Sequence, residues 1–276
     1  MPHLFCFGLG FSARALAQRL KAQGWTVTGT SRSGDDGTLA FDGTVPLSPA
    51  RFDGVTHLLI SVPPGEAGDP VLHCHADDLR RLVPTIEWAG YLSTTGVYGD
   101  RHGEWVDETS PLTPSTTRGK RRLAAEAGWL TLGLPFHSFR LAGIYGPGRN
   151  QLVSILDGTA RRIVKPGQIF SRIHVEDIAG VLEASIAKPK PGRAYNVCDD
   201  EPGPPQDVVA FAAELLKRAP PPEIAFDDAE LSPMARSFYA ESKRVSNTRI
   251  KQELGYRLIY PSYREGLTAL LAILPK

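Results

Sequence analysis

Cysteine is scarce in this chain: three residues in 276, at Cys6, Cys74 and Cys198. No two of them form a C-x-x-C pair, and none stands at the Cys/His spacing of a zinc site, so a disulfide scaffold and a structural metal are both excluded from the reading. His73-Cys74-His75 is the nearest approach, but adjacent side chains do not converge on one ion. Charge of one sign is also lacking, with a formal net charge of +1 and no basic or acidic tail. That removes nucleic acid and membrane surfaces as expected partners. Long hydrophobic runs are missing too, so no segment reads as a bilayer span. The opening MPHLFCFGLG has no charged flank, long apolar stretch or cleavage signal, and a cytoplasmic protein is expected.

What is present is a strand–helix alternation. The apolar run at residues 3–7 reads as a buried parallel strand, and residues 11–23 as a helix with one buried face ending at Gly24. Strands follow at 25–30, 39–41, 56–62, 86–94 and 136–144, with helices at 71–83 and 117–128 between them. Later helices are expected at 175–187, 206–218, 242–254 and 263–273, and a strand at 193–198. This order predicts an α/β fold, a Rossmann-type doubly wound parallel sheet with a small C-terminal substrate lobe. The dinucleotide-binding core is expected over residues 1–148, with segments near 169–198 and 238–254 rejoining it and 149–276 forming mainly the lobe.

Gly8-Leu9-Gly10-Phe11-Ser12-Ala13 fits GxGxxG/A between a predicted strand and helix. Gly8 permits the tight turn, Gly10 clears the way for a pyrophosphate, and Ala13 keeps helix and strand close, while Phe11 and Ser12 open the helix whose amides face the phosphates. The second strand ends in Thr30-Ser31-Arg32, without the carboxylate that holds a ribose 2′-hydroxyl in NAD-preferring sites. Arg32 offers a planar fork to a 2′-phosphate. NADP is therefore expected, with NAD the alternative. Ser61 and Pro63, at the end of the fourth strand, are expected beside the cofactor.

Further segments carry a resemblance. Ser93-Thr94-Thr95-Gly96-Val97-Tyr98-Gly99, residues 140–148 (RLAGIYGPG), residues 172–177 (RIHVED), Tyr195-Asn196-Val197 and Ser242-Lys243-Arg244 stand in the order found in extended short-chain dehydrogenases/reductases, the nucleotide-sugar epimerase/dehydratase class. The resemblance spans nearly the whole chain. It implies a sheet of about seven parallel strands and a lobe closing over a substrate. It also implies a reaction centre of Ser/Thr, Tyr and Lys, in which the Tyr-x-x-x-Lys pair handles the proton. A homodimer built on two helices per subunit is a further implication of the family.

Thr94 matches the Ser/Thr position, but the tyrosine is missing. Where family members read Tyr-Gly-x-x-Lys-Leu-x-x-Glu, this chain reads Arg118-Gly119-Lys120-Arg121-Arg122-Leu123-Ala124-Ala125-Glu126. Arg118 takes the tyrosine place and Arg122 the lysine place; a shifted register offers Thr116 and Lys120 instead. Arginine stays protonated and cannot serve as a general base. Arg122 remains suited to a ribose or phosphate, and Arg118 would turn a fixed cation toward an anionic ligand; a plain solvated helix face is the other reading. Tyr98 and Tyr145 are candidates for the absent acid/base. Arg149, Asn150 and His174 are candidates for substrate contact. Two functions stay open: an oxidoreductase or epimerase on a small or nucleotide-linked carbonyl or hydroxyl compound, with an altered proton donor, and a non-catalytic NADP-binding regulatory or scaffold protein.

Overall fold

The computed structural model describes residues 1–274. Seven parallel strands form the central sheet: β1 His3–Phe7, β2 Thr26–Ser31, β3 Leu39–Ala40, β4 His57–Ile60, β5 Trp88–Thr94, β6 Phe136–Leu141 and β7 Ala194–Val197. Their spatial order is β3-β2-β1-β4-β5-β6-β7. The order reverses between β1 and β4, which makes that crevice the topological switch point where ligands bind in open α/β sheets.

The central strands β1 and β4 are apolar on both faces because both are covered. Leu4 and Cys6 of β1 join the core beneath α1 (Phe11–Ala22) and α5 (Val175–Ala187), while Phe5 and Phe7 join the core beneath α2 (Pro70–Leu82) and α3 (Thr117–Leu130). This alternation is the two-residue period of a strand, read as a continuous apolar run only because neither face meets water.

A third apolar cluster lies in the C-terminal part, where Leu152 of α4 (Gln151–Leu156) meets Val208 and Ala212 of α6 (Pro205–Leu215) and Leu267 and Leu270 of α9 (Tyr263–Ala272). Two short helices, α7 (Pro233–Phe238) and α8 (Thr248–Leu254), flank the strand-like segment between them. Among the described residues no helix is long and apolar enough to cross a membrane.

Two elements differ from expectation in ways that shape the site. The strand expected over residues 136–144 breaks at Ala142. Its N–H still bonds to Val197 of β7, but the N–H of Gly143 turns to Ser171, and Gly143–Tyr145 pairs with Arg172–His174 instead of the sheet. The chain thereby leaves the sheet for the lobe.

The helix expected over residues 242–254 begins only at Thr248. Residues 241–246 lie outside any helix, and Arg244–Val245 pairs with Trp105–Val106. The main-chain N–H of Ser242 bonds to Asp100 and that of Val245 to Ser171, which holds the segment out of helical form. Residues 241, 243, 245 and 247 are buried and the even ones between them are not.

Candidate functional site

One cavity of about 850 Å³ runs from the switch point into the lobe. Its sheet side is lined by Gly10 to Ala13, Ser61, Thr94 to Gly96, Arg118 and Arg122. Its lobe side includes Arg149, Arg172 and Tyr263, with Glu241 and Lys243 from the extended segment.

The glycine turn is fixed by its neighbours. Gly8 has φ +87°, and a Cβ there would stand 2.8 Å from the Ser61 hydroxyl oxygen. Its N–H donates to Thr30 Oγ1 at 2.9 Å, and the Ser61 hydroxyl donates to its carbonyl oxygen. Gly10 caps α1 without any side-chain acceptor, and a Cβ on it would meet nothing within 4 Å. The first-turn amides of α1 thus lie beside the cavity with no side-chain cap, as a pyrophosphate requires.

The ribose end is arranged differently from expectation. Thr30 is buried and its hydroxyl oxygen is taken by Gly8, so it shapes the turn rather than facing a ligand. Ser31 Oγ accepts from the Gly34 N–H at 2.9 Å and the Thr38 hydroxyl at 2.7 Å, which folds the loop after β2. Arg32 is exposed on that loop and makes no ion pair or side-chain hydrogen bond among the described residues. Pro63 is exposed and lies outside the cavity lining, unlike Ser61.

Thr94 ends β5, where its Oγ1 accepts from the Gly96 N–H at 3.2 Å and faces the cavity wall. Beside it, α3 approaches the Thr95–Tyr98 turn closely: a Cβ on Gly119 would stand 2.6 Å from the carbonyl oxygen of Gly96. This contact sets Arg118, one residue earlier, at the cavity. Among the described residues Arg118 has no carboxylate partner within ion-pair distance, and its guanidinium lies 5.5 Å from the Phe238 ring centre. Partial desolvation by the cavity walls, then the guanidinium groups of Arg122 and Arg149, depress the affinity of Arg118 for its proton. Arg122 is buried, donates to the carbonyl oxygen of Leu92 and stacks on Tyr91 at 5.4 Å. Arg149 is exposed and lies 5.9 Å over Phe11, at the entrance to the glycine turn.

Four candidates are not free to act as expected. The Tyr98 hydroxyl is buried, donates to Asn196 Oδ1 at 2.7 Å and accepts from Arg140 at 3.0 Å; burial pushes its pKa up to about 12. It belongs to a core network with the Arg140–Glu126 ion pair, not to the cavity. Tyr145 lines the cavity with its ring, but its hydroxyl points at the Ser262 carbonyl, 3.4 Å away, and packs against Gly266. Burial, followed by the charges of Asp199 and Asp177, raises its pKa well above that of an ordinary tyrosine. His174 caps α5 through Nδ1, which accepts from the Glu176 N–H at 3.2 Å, and is buried against Tyr260 outside the cavity lining. Asn150 lines the cavity, yet its oxygen caps α4 at Val153 and its amide donates to Gly146. In each case the strand end or turn that drew notice also needed a polar anchor, and the side chain supplies it.

Two cavity residues escaped the reading as site residues. Glu241 and Lys243 are both buried and their side chains meet at 2.8 Å. The sequence of residues 241–247 carries no apolar alternation, and their inward face shows only in the alternating burial of the folded chain.

No protein-family model matches the chain. It is 29% identical to the Escherichia coli protein YeeZ over 95% of this chain and 97% of that one. It is 28% identical to a Streptomyces 3-diazoavenalumate denitrifying reductase, over 84% of this chain and 74% of the reductase. Among solved structures, a functionally unknown conserved protein from Silicibacter pomeroyi superposes with a TM-score of 0.92 at 55% identity, over 99% of both chains. A proposed NAD-dependent epimerase/dehydratase from Methylobacillus flagellatus matches with a TM-score of 0.71 at 29% identity, covering 98% of this chain and 97% of that one. MoeE5, solved with UDP-glucose and NAD, shares the fold at 20% identity and a TM-score of 0.76, over 99% of this chain and 98% of that one. The chain thus has the seven-stranded Rossmann-type fold of these structures, and its structural neighbours are NAD-dependent epimerase/dehydratases of the extended short-chain dehydrogenase/reductase type.

Proposed function

We propose that this protein is a nicotinamide-dependent oxidoreductase or epimerase acting on an anionic or nucleotide-linked carbonyl or hydroxyl compound. The observation that carries this is the continuity of one cavity from the uncapped amides of α1, past Thr94, to Arg118 and Arg149. A binding module needs the first of these features, but has no use for a lobe-covered chamber of this size next to a strand-end threonine. UDP-glucose and UDP-glucuronic acid with NAD, as held by MoeE5, fit the same chemistry of cation-lined cavity and dinucleotide turn.

NADP is the favoured cofactor. Gly8, Gly10 and the first turn of α1 would hold the pyrophosphate, and Arg32, exposed and unpaired, would meet the 2′-phosphate. When bound, the nicotinamide supplies or takes up hydride. The chain's own part is to exclude water, to hold the reacting oxygen near Thr94 and to neutralise substrate charge with Arg118 and Arg149. A non-catalytic, cofactor-holding role is the second reading, favoured by Arg118 in the tyrosine place and by the inward turn of the Tyr98 and Tyr145 hydroxyls.

Two measurements separate them. Calorimetric titration with NADPH and NADH tests the cofactor, and no binding below millimolar concentration by either removes it. A screen for cofactor oxidation or reduction across sugar nucleotides and small carbonyl compounds tests turnover, with Thr94→Ala expected to lower any activity found. A protein that binds NADPH and turns over none of them fits the second reading.

A further inference from the structure

Glu241 and Lys243 make an unusual wall for a cavity. Both residues are under 10% exposed, and the ion pair they form is a poor stabiliser, because desolvating two charges offsets most of their attraction. The carboxylate is held on both sides: Ser115 donates its hydroxyl to Oε1 at 2.6 Å, and Lys243 Nζ donates to Oε2 at 2.8 Å. Gln168 Nε2 fixes the backbone of Glu241 by donating to its carbonyl oxygen at 2.7 Å.

The ammonium is held on one side only. It has three N–H groups, and Glu241 is its one hydrogen-bond acceptor among the described residues. Lys243 lines the cavity, so its remaining donors adjoin the space a ligand would fill. Thr94 shares this wall. A Cβ placed on Gly96 would stand 3.4 Å from Thr94 Oγ1 and 3.9 Å from Glu241 Oε2, so the threonine and the ion pair border the same spot. Arg118 adjoins it, close enough for the Glu241 charge to act on its guanidinium.

We infer that Lys243, oriented by Glu241, is the proton-transferring group of this cavity, in place of the tyrosine that Arg118 displaces. The inference rests on the nicotinamide chemistry proposed above. In carbonyl reduction one N–H proton of Lys243 passes to the carbonyl oxygen as that oxygen gains the electron pair of the C=O bond. The carbon receives hydride from the reduced nicotinamide, the co-reactant. An alcohol, an oxidised nicotinamide and a neutral amine result, and the amine regains a proton from water at the cavity mouth. In the reverse sense the neutral amine of Lys243 takes the proton of the substrate hydroxyl. Arg118 cannot do this, since a guanidinium keeps its proton; it is left to hold substrate charge.

The test needs no known substrate. An oxidised nicotinamide ring carries a positive charge that the reduced ring lacks, and a cation beside an ammonium favours loss of its proton. Calorimetric titration of the whole protein with NADP⁺ and with NADPH, in buffers of different ionisation enthalpy between about pH 8 and 10, counts protons released on binding. The 2′-phosphate is common to both ligands and is fully ionised there, its second pKa being about 6. NAD⁺ and NADH serve as the pair if they bind more tightly. Wild type is expected to release more protons with the oxidised than with the reduced form. That difference should fall to zero in Lys243→Met and in Lys243→Arg, the second of which keeps the charge but not the transferable proton. Melting curves and NADPH affinity check that both variants fold. Equal release by the two forms in wild type, or a difference that survives in both variants, overturns the assignment of Lys243 alone. Failure of all four dinucleotides to bind overturns the cofactor reading and this assignment with it.

Discussion

The hydroxyl of Thr30, at the end of β2, accepts a hydrogen bond from the main-chain N–H of Gly8, at the end of β1, at 2.9 Å. The glycine turn is therefore held by the neighbouring strand as well as by its own glycine. Thr30→Val keeps the shape and deletes the acceptor. A buried N–H left without a partner costs about 1–3 kcal/mol. Chemical denaturation should register that loss, Thr30→Ser should recover it, and dinucleotide affinity should fall with the valine. A valine variant as stable as wild type contradicts this role.

Gly119 offers a test of why Arg118 faces the cavity. Replacing a helical glycine by alanine ordinarily favours the helix by about 1 kcal/mol. Here the new Cβ would lie 2.6 Å from the Gly96 carbonyl oxygen, which is main chain and cannot swing aside. Overpacking of this kind costs about 1–3 kcal/mol. Gly119→Ala is thus expected to lower the melting temperature, and an increase would mean that α3 does not press on the Thr95–Tyr98 turn.

Much of this arrangement was legible before any coordinates. The order of strands and helices, the glycine turn and the strand end at Thr94 all follow from local pattern, because buried parallel strands and their turns announce themselves in apolar runs and glycines. The partners of polar side chains did not. Tyr98, in the turn after β5, and His174, before α5, stand where ligand-facing residues do, and only the positions of Asn196, Arg140 and the α5 amides reveal that their polar atoms are already used. Residues 241–247 misled for another reason. Helix-compatible residues run from there into α8, and the hydrogen bonds that keep them extended come from Asp100 and Ser171, far away in sequence.

The Arg140–Glu126 pair beneath Tyr98 is closed at 2.9 Å, with both side chains only 6% exposed. Arg140→Met strands a buried carboxylate. Breaking such a pair costs about 3–5 kcal/mol, which equilibrium unfolding in urea should detect. Tyr98→Phe removes two hydrogen bonds from the same network, those to Asn196 and from Arg140, and should cost about 1–3 kcal/mol by the same measurement. If both variants lose equally little, the network contributes less than its burial implies.

His174 gives the pH dependence. Burial lowers its pKa to about 4 from an ordinary 6.5, so the unfolded chain binds its proton first as pH falls. The contribution is present above about pH 6.5 and is lost as pH drops toward 4. Its full size is on the order of 3 kcal/mol. His174→Asn retains a capping side chain without the titration. Wild-type stability relative to this variant should decline between pH 6.5 and 4 and stay constant above 7. A flat difference over that range would mean that the histidine is not buried uncharged.

Calorimetric titration of wild type and Arg32→Ala with NADPH and NADH is the most direct test of the nicotinamide site. The expected result is tighter binding of NADPH by wild type, and a loss on the order of tenfold in Arg32→Ala, with NADH affinity unchanged. No binding of either cofactor below millimolar concentration would contradict the assignment of the α1 turn and the cavity beside it.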